Sequence, residues 1–215
     1  MSIVMPIDDT SPRRPLTKGR VLQAAVDVAD REGLGALTMR RLGAELGVEA
    51  MSLYKHVANK EEILDGIVEL VVGEIEIPSE GADWKEAMRR RTVSAREVLS
   101  RHSWAIGLLE ARGSRGPTAR RYLDAILGNL RSAGFSIENA VHAFWVLDCY
   151  VYGHVIQETS LAFNSSEELT DSAGFDEYPH LVEIAEPARM SAYSFDNEFE
   201  FGLDLILDAL ERAAT

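Results

Sequence analysis

A chain of 215 residues with 46% hydrophobic side chains and a net charge of −13 can bury a substantial core, as one domain or as a small domain joined to a larger one. A single cysteine, Cys149, excludes an internal disulfide and a cysteine-built zinc site, and it fits a reducing cytosol. Residues 1–15 lack the apolar run of a secretory signal, and the longest apolar stretch, Ala140 to Ile156, is interrupted by His142, Asp148 and His154 and falls short of the ~20 residues that cross a bilayer.

These features predict a soluble, cytoplasmic protein whose residues 1–15 form a disordered arm. Charge is unevenly spread. Residues 1–60 hold nine Lys/Arg against seven Asp/Glu, a net of +2, which leaves −15 on the remaining 155 residues. A polyanion-facing N-terminal part on an acidic body would have this balance, although +2 over 60 residues is a small excess.

Thr17 is placed to cap a first helix in which Val21, Ala25 and Val28 recur at i, i+4, i+7, with Gly33 as its stop. A second helix runs from Thr38, its cap, to Gly47, with Leu42 and Leu46 one turn apart. After Val48-Glu49 a third is expected over Ala50–His56, burying Leu53 and Val57. Two short helices joined by a glycine-containing turn make a helix-turn-helix. Asn59 caps a fourth helix, with Glu62 three residues on as in a capping box, and this helix is expected to stop before Pro78. Helical patterns follow at Trp84–His102, Trp104–Arg112, Thr118–Ala133, Ile137–Phe163, Tyr178–Met190 and Glu198–Ala213. Asn164 to Glu177, acidic and serine-rich, is expected to be a mobile loop. No segment of useful length alternates with period two, so the fold class is all-α: a three-helix N-terminal domain over residues 16–62 and a larger helical domain over 63–215.

In a helix-turn-helix the second helix enters the major groove while neighbouring groups grip phosphates and set the register. Arg40, Ala50, Met51, Ser52 and Lys55 are the candidates for base edges: Ala50 or Met51 against a thymine methyl, Lys55 on guanine O6/N7. Thr38, Tyr54, His56 and Lys60 are the candidates for phosphate oxygens. Lys60 lies in the first turn of the fourth helix, where free backbone N–H groups already favour an anion.

The segment LTMRRLGAELGVEAMSLYKHVANKEEILDG resembles the DNA-binding region of the tetracycline-repressor (TetR) family of bacterial transcription regulators, with its Thr38 cap, Gly47-Val48 turn, Leu53-Tyr54, His56 and Lys60. Residues 117–158 and 199–211 further resemble the ligand-domain core and terminal dimerisation helix of the tetracycline repressors themselves; residues 78–116 and 164–197 match only in length and rough pattern. The resemblance implies a homodimer on a palindromic DNA operator, most simply a repressor released by a small hydrophobic or aromatic effector. The effector would lie among the helices from Trp84 to Phe163, with His102, Trp104, Leu108, Glu110, Asn129, His142, Trp145, Asp148 and Tyr152 as candidate lining residues. Tetracycline repressors hold a metal-chelated drug partly through histidines. Near Glu76 and Glu110, where these would fall, there is none, which argues against tetracycline and against a required magnesium ion; no cofactor is expected.

The helix Ile137–Phe163 is apolar around most of its circumference and the terminal helix has a broad apolar stripe (Phe199, Leu203, Ile206, Leu207, Leu210), so two such helices per chain can pair with their two-fold mates. The fourth helix, from Lys60 towards Pro78, is the expected lever between effector and DNA. A helical interaction protein without DNA binding and an all-α enzyme remain as alternatives. The five histidines show no metal-ligand spacing, and HExxH, GxSxG and CxxC motifs are absent from the sequence.

Overall fold

The computed structural model describes residues 15–79, 81–112, 116–160, 177–184 and 194–213. The expected N-terminal arm, apart from Pro15, and almost all of the expected loop at 164–177 lie outside them. Ten α-helices span the described residues: α1 Lys18–Glu32, α2 Met39–Leu46, α3 Ala50–Leu53, α4 Lys60–Glu74, α5 Trp84–Arg101, α6 Trp104–Arg112, α7 Pro117–Ser132, α8 Ile137–Ser160, α9 Pro179–Ile184 and α10 Phe195–Ala213. No strand occurs among them. The chain divides into two compact units, residues 1–63 and 64–215.

In the first unit, α1 starts where Thr17 Oγ1 accepts a bond from Arg20 N at 3.3 Å and ends at Gly33, whose φ of 78° suits a residue without Cβ. A short 3-10 turn over Leu34–Ala36, not anticipated from the pattern, leads into Leu37 and the Thr38 cap of α2, where Thr38 Oγ1 accepts from Arg41 N at 3.1 Å. Gly47 closes α2 in the left-handed region at φ 66°. A Cβ added at Gly43 would stand 2.8 Å from the Val48 carbonyl oxygen, so the close approach of α2 to the turn depends on that glycine. Val21, Ala25, Val28, Leu37, Leu42, Leu53 and Val57 form the buried interior of this unit.

Helix α3 is shorter than the sequence suggests. It ends at Leu53, and residues 54–56 form a turn in which His56 N donates to Leu53 O at 2.9 Å, an i to i−3 bond. Leu53 and Val57 are both buried as expected, so the apolar spacing holds while the backbone between them tightens. Helix α4 ends at Glu74, before Pro78 as expected, and Glu76 lies beyond it.

In the second unit, α5, α7, α8 and α10 enclose a core that includes Met88, Val98, Leu99, Ile126, Leu130, Phe135, Leu147, Val151, Phe199, Leu203 and Leu207. Helix α7 begins at Pro117, one residue earlier than its pattern suggested, and its first turn is capped from α4: the Glu69 carboxylate accepts from Thr118 N at 2.7 Å and Ala119 N at 3.2 Å. Helix α10 begins three residues before the expected Glu198, because Ser194 Oγ accepts from Asn197 N at 3.1 Å and supplies an N-cap that the apolar stripe does not reveal. Of the helix expected at Tyr178–Met190, the described part is α9; residues 161–163 and 185–190 lie outside.

Candidate DNA-reading face and buried polar cluster

Within the first unit, two arginines adjacent in sequence have opposite fates. Arg41 is drawn inward to Glu32 at 2.6 Å and Glu45 at 2.8 Å, and Arg31 joins Glu45 at 2.9 Å, so α1 and α2 are tied by a four-membered charge network. These hydrogen bonds hold Glu32 and Glu45 below the usual carboxylate range. Arg40 is exposed. Met51, Tyr54, Lys55 and Lys60 are exposed as well, Met51 at 75%, while Ala50, Ser52 and His56 are half-buried. A methionine so exposed on a four-residue helix contributes nothing to the core and is available for contact.

Thr38 already uses its hydroxyl oxygen as the α2 cap, which leaves its O–H as the group free to donate. The start of α4 is closely held: Glu62 N donates to Asn59 Oδ1 at 2.9 Å, and Ala58 N donates to Glu62 Oε2 at 2.6 Å. The carboxylate therefore reaches one residue beyond the position expected of a capping box. Lys18 pairs with the other oxygen of Glu62. Lys60 stays exposed beside this fixed helix start, a geometry that suits a phosphate.

The second unit keeps its most informative charges inside. Arg91 on α5 is 1% exposed; its Nε donates to Tyr122 Oη on α7 at 2.5 Å, and one Nη pairs with Asp148 on α8. Tyr152, one turn beyond Asp148, donates to Asp148 Oδ2 at 3.4 Å. The guanidinium also lies 5.2 Å from the Tyr122 ring and 5.6 Å from the Phe144 ring. Burial works against the charge on Arg91, but Tyr122 and Asp148 outweigh it and hold the guanidinium above its ordinary range. Burial pushes Tyr122 up to about 12 and raises Tyr152 further, so both phenols are neutral donors at physiological pH. The second Nη of Arg91 is buried without a hydrogen-bond partner.

Of the candidate ligand residues, Asp148 and Tyr152 meet in this cluster. Trp104 and Leu108 are half-buried against the same core, and Glu110 on α6 is exposed. His102 is buried with its Nε2 3.5 Å from Glu74, and its ring lies 6.0 Å from that of Trp104. Asn129 is half-buried on α7 and donates to Ala82 O at 3.0 Å. The structure does not bring His142 or Trp145 to the cluster. Both are exposed on α8, Trp145 at 55%, in one stripe with Val141, Val146 and Ile156; Phe201 and Leu205 are exposed likewise on α10. The expectation that Trp145 walls a ligand site therefore does not hold within one chain.

Arg91, Tyr122 and Phe144 were missed from sequence. For Arg91 the signal lay in the spacing: Met88, Arg91, Thr92, Ala95 and Leu99 share one helical face, and an arginine in an apolar stripe implies a buried partner. Among the described residues no group of three or more His, Cys, Asp or Glu could hold a metal ion, and no helix is long and apolar enough to cross a membrane.

The comparisons with known proteins agree at both ends of the chain. Residues 21–67 match the model of the bacterial regulatory proteins of the tetR family, and residues 77–214 match that of the tetracyclin repressor-like C-terminal domain. The chain is 35% identical to the HTH-type transcriptional repressor DrrR1 of Streptomyces coeruleorubidus, over 93% of this chain and 79% of that protein. Among solved structures it is similar to apo ActR from Streptomyces coelicolor, with a TM-score of 0.77, 31% identity and coverage of 94% of this chain and 97% of that one. It is similar also to ActR in complex with actinorhodin, with a TM-score of 0.76 and 31% identity over 94% of this chain and 99% of that one.

Proposed function

Since this chain belongs to the tetR family of bacterial regulatory proteins and is a ligand-responsive DNA-binding transcriptional regulator, we propose that it is a homodimeric repressor released from a palindromic operator when a small, largely hydrophobic molecule binds its C-terminal domain. The observation that carries this reading is the outward face of the first unit. Arg40, Met51, Tyr54, Lys55 and Lys60 are exposed while Lys18, Arg31, Glu32, Arg41 and Glu45 of α1 and α2 are held in ion pairs. Arg40, Ala50, Met51, Ser52 and Lys55 would read base edges, and Thr38, Tyr54, His56 and Lys60 would hold phosphates. No catalytic role is assigned to any residue.

The exposed stripes of α8 and α10 support the dimer. Trp145, Val146, Ile156, Phe201 and Leu205 form an apolar surface that a second copy related by two-fold symmetry would cover, so Trp145 serves the interface. The Arg91–Tyr122–Asp148–Tyr152 cluster supports the effector site. It offers a donor without a partner, two neutral phenols and the Phe144 ring within an otherwise apolar core, against which Trp104 and Leu108 also pack. Two domains, residues 16–62 for DNA and 63–215 for effector and dimer, follow from this division of roles.

Release requires the effector to bind the DNA-incompetent arrangement more tightly, by about 1–3 kcal/mol of coupling or more, and DNA must weaken effector binding by the same factor. Helix α4 is the proposed lever: it carries Lys60 in its first turn and runs unbroken to Glu74, and its Glu69 caps α7, the helix that also carries Tyr122. Selection of bound sequences from a random duplex pool tests the reading. It should return a palindrome whose half-site centres lie about 34–36 Å apart or a small multiple of that. Recovery of sequences with no two-fold relation would reject it.

A further inference from the structure

Every Asp and Glu in the described part of the first unit is engaged except one. Asp27 accepts from Gln23 at 3.2 Å, Glu32 and Glu45 hold Arg41 between them, and Glu62 takes Lys18 and the Ala58 N–H. Asp30 and Glu61 are not free either. The exception is Glu49, an exposed residue whose carboxylate has no hydrogen bond or ion pair among the described residues. It stands immediately before α3, and the leading residues of such a helix are those that meet base edges in the major groove.

The main chain around Glu49 is fixed while its side chain is not. The Glu49 carbonyl accepts from Ser52 N at 2.8 Å, and its φ of −65° and ψ of 139° are extended. On either side, the Val48 carbonyl oxygen and Ala50 N lie so near Gly43 on α2 that an added Cβ would stand 2.8 and 3.1 Å from them. The carboxylate itself does not cap α3. An unpaired anion on a surface that meets DNA is repelled by every phosphate, and only a hydrogen-bond donor on the DNA offsets that repulsion. In the major groove the donors are the cytosine N4 and adenine N6 amino groups. Beside adenine N6 lies N7, an acceptor that would face the second carboxylate oxygen, while guanine O6 and N7 and thymine O4 repel an anion outright. Cytosine alone offers a donor with no acceptor on the same base edge.

We propose that Glu49 selects cytosine at one position of each operator half-site, its carboxylate accepting from the N4 amino group, and that it weakens binding to every other sequence. The proposal rests on the operator-binding reading above and adds to it a residue that acts by exclusion as much as by contact. Arg40 and Lys55 attract any duplex as well as a chosen base, because a cation also meets phosphate, whereas a carboxylate gains nothing from the DNA backbone. Two-fold symmetry repeats the same cytosine on the opposite strand of the second half-site.

The test carries the full-length protein, Glu49→Ala and Glu49→Gln through selection from a random duplex pool. Anisotropy titrations follow on the parent's selected operator, on the same operator with one cytosine replaced, and on random duplex. The parent's selected sequences should hold a cytosine in each half-site whose replacement costs about tenfold in affinity. Glu49→Ala should bind the intact and replaced operators within about twofold of each other, with the remaining positions of the palindrome retained. Glu49→Gln should admit adenine at the same position, since an amide matches adenine N6 and N7 together. Both variants should bind random duplex about threefold tighter than the parent at ~50 mM salt, because a negative charge has left the reading face. Tightening on random duplex with every cytosine preference unchanged would reduce Glu49 to a repulsive charge and overturn the proposal. So would a loss of preference spread evenly over all positions, which marks a distorted α3. If the parent selects no palindrome, the regulator reading falls and this proposal with it; a palindrome without a cytosine that depends on Glu49 rejects this proposal alone.

Discussion

The first unit arranges its charges around the outside of a small apolar core, whereas the second holds an arginine, an aspartate and two tyrosines within a large one. On the first, Glu32, Glu45 and Glu62 each bind a cation, and the side chains left over, Arg40, Lys55 and Lys60, face outward. In the second, Arg91 is sealed among Tyr122, Phe144 and Asp148 and keeps one N–H unsatisfied. A surface that must meet a polyanion can leave cations solvated until it binds, because water stabilises them meanwhile. A site for a small, mostly apolar molecule must desolvate its polar groups in advance, and that is stable only if nearly all of them are paired.

The largest effect should come from breaking the buried pair. Arg91→Ala leaves Asp148 without its cation and with only the Tyr152 hydroxyl as donor, and urea unfolding should show a loss of about 3–5 kcal/mol, whereas Arg91→Met with Asp148→Leu should recover most of it. Equal stability of Arg91→Ala and the parent would place the charge in water and erase the contrast between the units. Next is Gly43→Ala in the first unit, where the new Cβ would press on the Val48 carbonyl oxygen at 2.8 Å. Thermal unfolding should report about 1–3 kcal/mol of destabilisation, and a neutral result would mean that the turn can move away freely.

A smaller effect is expected at the phosphate face. Lys60→Ala should weaken DNA binding by a similar factor for every sequence and lower the slope of log K against log salt by about one, as loss of one phosphate contact requires. A sequence-dependent loss would move Lys60 to base reading. The smallest is at Glu62, held below its usual 4.5 first by the Ala58 N–H and then by Lys18. A carboxyl depressed in the folded state stabilises above its unfolded value and loses that contribution as pH falls through the folded one. Glu62→Gln should therefore melt lower than the parent at pH 7, with the two melting points converging below pH 4.5; a constant difference in acid would exclude the carboxylate as the cause.

How much of this was legible in the sequence depends on whether a signal was local. Thr17, Thr38, Gly33 and Gly47 announced their helix ends because a cap acts within four residues, and the apolar spacing of α1 fixed which of its faces is buried. The end of α3 was not legible, since Leu53 and Val57 are buried whether the chain between them is helix or turn. Nor did the sequence show that Arg41 would be tied to Glu32 on α1, or expose the pairing of Arg91 with Asp148 across 57 positions. Trp145 shows the same limit in reverse. Its apolar helix was recognised, but which of its faces meets the core and which stays outside is set by packing with α5, α7 and α10.

The central claim is that a net-acidic protein binds DNA through the small outward face of its first unit. Fluorescence anisotropy of a labelled duplex, titrated with the full-length, ligand-free protein at about 50 and 200 mM salt, tests it most directly. The account predicts binding at the lower salt that falls by an order of magnitude or more at the higher, and that is much weaker at both in a Tyr54→Ala, Lys55→Ala, Lys60→Ala triple variant that remains folded. No binding at either concentration, or binding indifferent to salt and to the triple substitution, would contradict it.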